Sequence, residues 1–313
     1  MKVVFLDSVH SILAERLTAN GVNCIQANEL PLSELPFILK DADGIVIRSQ
    51  FRMDEEILKF APQLKFIARS GAGMENIDEE YCAIREIVLF NAPEGNRNAV
   101  GEHTLGLLLS LLNKIHSGNQ QVNSGHWNRE QNRGVELDGK TIGIIGFGNN
   151  GSAFAKKLKG FDVSILAFDK YKSGFGTMEV QEIDNLERIF DECDVVSFHI
   201  PQTEETVYFA NDEFFRAFKK PIFLLNVSRG SIVETKSLVR ALQSGRVLGA
   251  GLDVLEYEKT SFESFFEKEI PSDFKFLVEA ENVLITPHVA GWTNESYFQL
   301  SNVLADKIIS KFF

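Results

Sequence analysis

Four polar residues follow apolar runs in the second half of the chain, and their side chains suit acid–base chemistry on a carboxylate substrate. Arg229 follows the run IFLLNV, and Asp253 ends the run VLGAGLDV. Glu258 comes five residues after Asp253, and His288 follows VLITP. Arginine binds a carboxylate through two parallel hydrogen bonds, and histidine exchanges protons near neutral pH. Each residue alone also fits a surface ion pair, so the hypothesis rests on their joint placement.

The segment KTIGIIGFGNNGSAFAKKLKGFDVSILAFDK, residues 140–170, is typical of a nucleotide-binding strand–helix–strand unit. Gly146, Gly148 and Gly151 follow an apolar strand and open a helix, a spacing that allows a tight turn and a close approach to pyrophosphate. The next strand ends at Asp169, whose carboxylate can accept hydrogen bonds from the ribose of NAD and would repel the 2′-phosphate of NADP. A glycine turn without a ligand is the alternative, but strand, helix and carboxylate together favour NAD as the cofactor.

These two sets of residues together predict hydride transfer between NAD and a 2-hydroxy or 2-oxo acid. Ligands of a doubly wound sheet bind at the carboxyl ends of its strands, where the arginine, the histidine and the carboxylates can converge. A carboxylate beside the histidine would favour the imidazolium form. Glu256 is a second candidate for that partner, although its spacing from Asp253 favours Glu258.

The elements that must position these residues alternate along the chain. Short apolar runs, separated mostly by helical patterns or loops, predict an α/β protein with parallel sheets covered on both faces. Apolar residues at helical spacing predict two long helices, over 97–116 and 293–313. If each helix bridges two lobes, residues 1–96 and 287–313 form a discontinuous substrate-binding domain. Residues 97–286 then form an inserted NAD-binding domain.

Composition and charge exclude several classes of protein. The 313 residues carry a formal net charge of −12, which argues against nucleic-acid or anionic-membrane partners. The amino terminus lacks the apolar stretch of a signal peptide, and no run reaches the length of a membrane span. The three cysteines lie far apart without a C-x-x-C pair, so we expect buried thiols in a reducing cytoplasm and no metal site.

The motifs of this chain resemble those of the D-isomer-specific 2-hydroxyacid dehydrogenase family over nearly its whole length. The matching stretches are GIVIRS, ARSGAGMENID, NAPEGNRNAVGEHTLGLLL, GIIGFGNNG, HIPQT, NVSRGSIVE, GLDVLEYE and TPHVAG. The succession of NxxRG, LDVxxxE and TPHxxG is highly specific. Within the family, the motifs are most similar to those of the D-3-phosphoglycerate dehydrogenases. The resemblance implies a doubly wound, Rossmann-type cofactor domain inserted into a flavodoxin-like substrate domain, with the active site between the lobes.

The resemblance also implies a role for each matching residue. Arg229 would bind the carboxylate and carbonyl of the substrate, His288 would be the acid–base, and Glu258 would be its partner. Asp253 would hold the nicotinamide carboxamide. The other implied contacts are Asn149 and Asn150 on the pyrophosphate, Ile200, Val227 and Ser228 beside the nicotinamide, and the backbone of Ser70, Gly71, Ala72 and Gly73 on the substrate carboxylate.

The identity of the substrate stays open. Arg48 and Arg69 end apolar runs near the 70–73 loop and match the phosphoglycerate dehydrogenases, which favours a phosphorylated substrate. The reaction would then convert 3-phosphoglycerate to 3-phosphohydroxypyruvate, in serine biosynthesis. Glyoxylate, hydroxypyruvate and D-lactate-type substrates are the alternatives. Pairing with nearby acidic residues would instead make both arginines ordinary surface charges.

Assembly and regulation are expectations from the same resemblance. It implies a homodimer in which the 97–116 helix and the following arm, to Trp127, cross to the partner subunit. The chain ends at Phe313 soon after the last helix, so we expect no appended regulatory domain and no serine feedback through one. The acidic and aromatic segment 259–280 is longer than usual. Its phenylalanines either dock it on the body of the protein or on a second subunit, or pack against one another within the loop.

A binding module from a different class of function is the remaining alternative. Transcriptional corepressors that resemble this family use NAD as a conformational signal, and they can keep the same catalytic residues. The lack of extra binding tails favours the enzyme, and a turnover assay separates the two.

Overall fold

The computed structural model describes residues 1–258 and 271–313, which fall into two compact units. The first unit comprises Met1–Arg97 and Trp292–Phe313, and the second comprises Asn98–Glu258 and 271–291. The sequence predicted changes of domain at 96/97 and 286/287. Of the segment 259–280, for which docking or self-packing was expected, residues 259–270 lie outside the described part of the chain.

The elements follow one another in the α/β order that the sequence predicted. The first are β1 (Lys2–Phe5), α1 (Ile12–Ala19), β2 (Asn23–Gln26), α2 (Leu35–Leu39), β3 (Gly44–Ile47), α3 (Glu55–Leu58), β4 (Phe66–Arg69), α4 (Glu79–Ile84), β5 (Val88–Phe90), α5 (Pro93–Leu112) and α6 (Ile115–Asn123). The others are β6 (Thr141–Ile145), α7 (Asn149–Lys157), β7 (Ser164–Phe168), β8 (Gln181–Ile183), α8 (Glu187–Glu192), β9 (Val195–Phe198), α9 (Asp212–Ala217), β10 (Ile222–Asn226), α10 (Thr235–Gln243), β11 (Val247–Leu252), α11 (Ser272–Glu279), β12 (Val283–Ile285) and α12 (Asn294–Phe312).

The sheet of the first unit is parallel and has the strand order β2-β1-β3-β4-β5. Both of its faces are covered, because Val3 and Phe5 pack with α12 while Val4 and Leu6 pack in a separate apolar cluster. Alternate residues of a strand point to opposite faces, which explains this division. This is the flavodoxin-like order, and it reverses between β1 and β3, where such sheets bind ligands.

The sheet of the second unit is also parallel, in the order β12-β11-β10-β9-β6-β7-β8. Counted within the unit, the strands run 7-6-5-4-1-2-3, which is the doubly wound dinucleotide-binding order with one added strand. The order reverses between β6 and β9. The predicted fold class, two parallel α/β sheets with one of Rossmann type, is therefore confirmed.

The long helices differ from the predicted ones at their ends. α5 begins at Pro93, since proline suits the first turn of a helix, and it ends at Leu112. Lys114 has a φ of 50°, in the left-handed region, so the chain turns there before α6. Thr293 caps α12 through the backbone amide of Ser296. Over residues 1–258 and 271–313, no helix is both long and apolar enough to cross a membrane.

Candidate active site

At the first and third glycines of the GFGNNG turn, neighbouring backbone atoms leave no room for a side chain. Gly146 has a φ of +94°, and a Cβ there would lie 2.5 Å from the carbonyl oxygen of His199, which follows β9. A Cβ on Gly151 would lie 2.0 Å from the carbonyl oxygen of Gly146. Any side chain at either position would push apart β6, β9 and α7. The turn therefore sits tightly at the point where the strand order reverses.

The space around the second glycine is open. A Cβ on Gly148 would meet nothing closer than Nζ of Lys172, 4.0 Å away. Gly148 is the N-cap of α7, so the first amides of the helix, at Asn149 and Asn150, lie at the edge of this open space. Free amides at a helix start favour a phosphate group. The turn thus fits a pyrophosphate, and no atom of the described residues competes with it.

Asp169 links the end of β7 to this turn. Its Oδ2 accepts a hydrogen bond from the amide of Phe147 at 2.8 Å. Its Oδ1 accepts from the amides of Tyr171 and Lys172, each at 3.0 Å. These bonds use three of the roughly four lone-pair positions of a carboxylate, so one position on Oδ2 is left for a ligand hydroxyl.

The loop after β10 holds Arg229 through a buried asparagine. The side chain of Asn226 accepts from the amide of Ser228 at 3.2 Å and from its hydroxyl at 2.9 Å, and it donates to the carbonyl oxygen of Arg229 at 2.9 Å. A Cβ on Gly230 would lie 2.0 Å from the carbonyl oxygen of Leu255, so this loop packs directly on the chain after β11.

The residues predicted to line the nicotinamide lie on the same edge of the sheet. Val227 and Ser228 are buried after β10. Ile200 follows β9, and its Cγ2 would be 2.7 Å from a Cβ on Gly146. The structure therefore brings these three residues to the carboxyl ends of β9 and β10, which neighbour each other on one side of β6.

His288 and Glu258 are in direct contact. Nδ1 of His288 lies 2.6 Å from Oε2 of Glu258, and both side chains are mostly buried. The amide of Leu255 donates to the other oxygen of Glu258 and fixes the carboxylate. Glu256, the alternative partner, accepts instead from the hydroxyl of Tyr208 at 2.8 Å and from the amide of Thr235 at 3.0 Å.

Asp253 lies beneath the loop that carries His288. Its carboxylate is 1% exposed and accepts from the hydroxyl of Thr286 at 2.6 Å, the amide of Val289 at 2.9 Å and the amide of Ala290 at 2.8 Å. Nε2 of His103, on α5, lies 3.0 Å from the Thr286 hydroxyl. Neither Thr286 nor His103 was predicted as a site residue, and the link between them spans 183 residues.

In the first unit, Arg69 and the 70–73 loop form one hydrogen-bonded group. Nε of Arg69 donates to the carbonyl oxygen of Arg48 and to Oδ1 of Asn76, each at 3.1 Å, and Nη1 donates to the carbonyl oxygen of Gly73 at 2.7 Å. Arg69 is only 7% exposed. Its guanidinium therefore holds the loop. Among the described residues, the amides of Ala72 and Gly73 donate to no partner.

Arg48, the other predicted phosphate ligand, has a different environment. Its guanidinium carbon lies 4.4 Å from the ring centroid of Trp292. Its amide donates to Oδ2 of the buried Asp7, which lies two residues after the end of β1, where the strand order reverses. No role was predicted for Asp7 or Trp292. The signals available are an acidic residue directly after the first apolar run and an aromatic residue directly after TPHVAG.

Among the described residues, neither the cysteines nor the potential metal ligands form a reactive or metal-binding cluster. All three cysteines are free thiols. Burial raises the pKa of Cys82 to about 11 and that of Cys193 to about 12, so both stay protonated near neutral pH. In the described ranges, no three His, Cys, Asp or Glu side chains are grouped to hold a metal ion.

Comparison with known proteins decides the family. Residues 105–290 match the family model described as "D-isomer specific 2-hydroxyacid dehydrogenase, NAD binding domain". The chain belongs to the D-isomer-specific 2-hydroxyacid dehydrogenase family. The NAD-binding unit predicted from the glycine fingerprint is thereby confirmed.

Three proteins that are similar to this chain are named for three different substrates. The chain is 32% identical to a D-3-phosphoglycerate dehydrogenase of Archaeoglobus fulgidus, over 99% of this chain and 57% of that protein. It is 33% identical to a glyoxylate reductase of Pyrococcus furiosus, over 95% of this chain and 90% of that protein. The crystal structure of a D-lactate dehydrogenase from Aquifex aeolicus, complexed with NAD and lactic acid, matches with a TM-score of 0.82 and 26% identity, over 99% and 95% of the two chains. The chain thus spans little more than half the length of the first of these relatives.

Proposed function

We propose that this protein transfers hydride between NAD(H) and a D-2-hydroxy or 2-oxo acid. The observation that carries the proposal is the 2.6 Å contact between His288 and Glu258. Both residues belong to the unit that contains the NAD-binding turn and Arg229. A histidine held by a carboxylate, together with an arginine, is what a reaction needs when it moves a proton on and off a substrate oxygen.

Each side chain has a defined task in the reduction direction. NADH, when bound, supplies the hydride to the 2-oxo carbon. Arg229 binds the substrate carboxylate and stabilises the negative charge that grows on the carbonyl oxygen. His288 donates a proton from Nε2 to that oxygen, because its Nδ1 is bonded to Glu258. Glu258 holds the ring of His288 in place for this transfer.

The cofactor would be held by the residues around the glycine turn. The amides of Asn149 and Asn150 would bind the pyrophosphate beside Gly148, and Asp169 would accept from the ribose. Ile200, Val227 and Ser228 would line the nicotinamide, and Asp253 would accept from its carboxamide. One lone-pair position on Oδ2 of Asp253 remains for that bond, since the Ala290 amide uses the other.

We further propose a substrate with a second anionic group, with 3-phosphoglycerate first. The guanidinium of Arg48 makes no hydrogen bond or ion pair with any residue that the structure describes, and Trp292 holds it in place. A stacked guanidinium keeps its in-plane N–H donors for a phosphate or carboxylate. Arg69 would act indirectly, by shaping the 70–73 loop whose free amides bind the substrate carboxylate. Glyoxylate is the second candidate, because the glyoxylate reductase matches over 90% of its length.

A panel of 2-hydroxy and 2-oxo acids assayed with NAD(H) tests the proposal. We expect turnover with NAD(H), highest for 3-phosphoglycerate or 3-phosphohydroxypyruvate. His288→Ala should reduce turnover by about 10²–10⁴ while NADH still binds, the usual range for a general acid–base. NADH binding without turnover of any acid would favour the NAD-sensing module instead.

A further inference from the structure

A buried hydrogen-bond chain supports the loop that carries His288. Asp253 accepts three hydrogen bonds from this loop, from the Thr286 hydroxyl and from the amides of Val289 and Ala290. The carbonyl oxygen of Asp253 also accepts from the amide of His288 at 2.9 Å. One residue at the end of β11 thus anchors the loop on both sides of His288.

The directions of the hydrogen bonds in this chain follow from its chemistry. An ionised carboxylate has no proton to give, so the Thr286 hydroxyl must donate its only proton to Asp253. The hydroxyl can then only accept from His103, 3.0 Å away. Nε2 of His103 must therefore carry a proton. It also lies 3.5 Å from Oδ1 of Asp253, close enough to add an electrostatic attraction.

His288 needs this support because its backbone is strained. Its φ is +54°, in the left-handed region that residues other than glycine rarely adopt. Such a conformation persists only where surrounding contacts determine it fully. The contact between Nδ1 of His288 and Glu258 depends on this conformation, since the backbone sets where the ring begins. A change in the position of Thr286 would therefore reach the imidazole of His288.

We propose that His103 is a positioning residue for His288, acting through Thr286 and Asp253. The inference rests on the proposed hydride-transfer function, in which His288 exchanges the proton. His103 lies on α5 and holds Thr286 in the rotamer that bonds Asp253. When that bond is lost, His288 shifts away from Glu258. The charged and titratable groups involved are His103, Asp253 and Glu258, with Arg229 at the end of the neighbouring strand β10.

Paired variants of His103 and Thr286 test this inference. His103→Leu and Thr286→Val each remove the hydrogen bond between these two side chains and should lower kcat about tenfold, with little change in the KM for NADH. His103→Gln and Thr286→Ser keep a donor and a hydroxyl, and should restore most of the rate. Thr104→Val, on the same helix, removes a hydroxyl that donates to Val100 at 2.6 Å and should change neither quantity.

A measurement without turnover separates the positioning role from the proposed reaction. The NMR signal of the proton between Nδ1 of His288 and Glu258, assigned with His288→Gln, should be present in the wild type, weakened or lost in His103→Leu, and restored in His103→Gln. An unchanged signal in His103→Leu, or an equal loss of rate in His103→Gln, would overturn the positioning role. Absence of turnover by the wild-type protein would overturn the proposed function, while the NMR signal would still decide whether His103 acts on His288.

Discussion

Nδ1 of His288 lies 2.6 Å from Oε2 of Glu258, a contact that fixes one nitrogen of the ring. In the proposed reaction, the other ring nitrogen, Nε2, would exchange a proton with the substrate. The carboxylate is itself fixed by the amide of Leu255, so it would not have to move during that step. Preorganised partners of this kind avoid reorganisation as charge develops.

Glu258→Gln should lower kcat in both directions about tenfold, the equivalent of one hydrogen bond to a charged group, and leave the KM for NADH nearly unchanged. The neutral amide bonds Nδ1 more weakly than the carboxylate does, so the ring of His288 is held less firmly. Glu256→Gln, which changes a carboxylate bonded to Tyr208, is the matched control and should leave both rates in place. Rates that coincide with the wild type would exclude Glu258 as the partner.

Asp169→Ala should narrow the preference for NAD over NADP. NAD binding weakens because the ribose loses its acceptor and the turn loses the bond to Phe147, while the repulsion of a 2′-phosphate disappears. The ratio of kcat/KM for the two cofactors measures this. Glu182→Ala is a control for loop disturbance, because Glu182 also binds backbone amides, those of Gly174, Phe175 and Gly176. It should leave the cofactor ratio unchanged. Equal use of both cofactors by the wild-type protein would contradict the role of Asp169.

Trp292→Leu should raise the KM for a phosphorylated substrate by about tenfold and leave that for glyoxylate nearly unchanged. The ring holds the guanidinium of Arg48 at 4.4 Å, and losing it frees the side chain. Arg48→Lys should have the same selective effect, because an ammonium lacks the planar fork. Tyr81→Leu removes another ring under an arginine, Arg85 at 5.8 Å, whose donors bond the carbonyl oxygens of Leu58 and Ala61. It should change neither KM. An equal loss with both substrates would argue against a distal anion site.

The arm after α5 should form a dimer contact. Ile115, Val122 and Trp127 are 57%, 51% and 79% exposed, an unusual set of apolar side chains for a free surface. Light scattering at micromolar concentration should give a dimer. Trp127→Asp combined with Val122→Asp should shift it toward the monomer. Ile84→Asp alters a residue that is 80% exposed elsewhere and should not change the mass. A monomeric wild-type protein would refute the prediction.

Burial explains which strands could be predicted from the sequence. β3 reads GIVI and is buried at every position, so its apolar run stands out. β2 (NCIQ) and β8 (QEI) were not predicted, because both are edge strands whose sequences are largely polar. An edge strand keeps backbone pairing on one side but has little apolar surface to bury, so composition does not reveal it.

For the site, the residues that could be predicted are those that lie in short motifs. The motifs name Arg229, Glu258 and His288 because each lies in a short, recognisable stretch. The contact of His103 with Thr286 joins residues that are far apart in the sequence and of types that occur throughout any helix or loop. Only the packing of α5 against the end of β12 brings them together, and no local pattern encodes such a contact.

His199 should make the folded protein less stable in acid. It follows β9 beside the glycine turn, where Nε2 lies 2.8 Å from the Ser197 hydroxyl and Nδ1 is shielded from solvent without a partner among the described residues. Burial lowers its pKa from the ordinary 6.5 to about 3. Between these values the unfolded chain binds a proton that the folded protein does not bind. The free energy of unfolding should therefore fall as the pH decreases through this window, by up to about 1.4 kcal/mol per pH unit from this residue.

Urea denaturation between pH 7 and pH 4 measures the effect. Other groups also titrate in this range, so the quantity to compare is the difference in slope between wild type and variant. His199→Gln keeps a polar group near Ser197 but cannot take up the proton, and its stability should fall less steeply toward acid. His126→Gln is the matched control, because solvent reaches that exposed ring in the folded protein. It should keep the wild-type slope. If His199→Gln and the wild type lost stability in parallel, the ring of His199 would be protonated in the fold, and burial would not be excluding its charge.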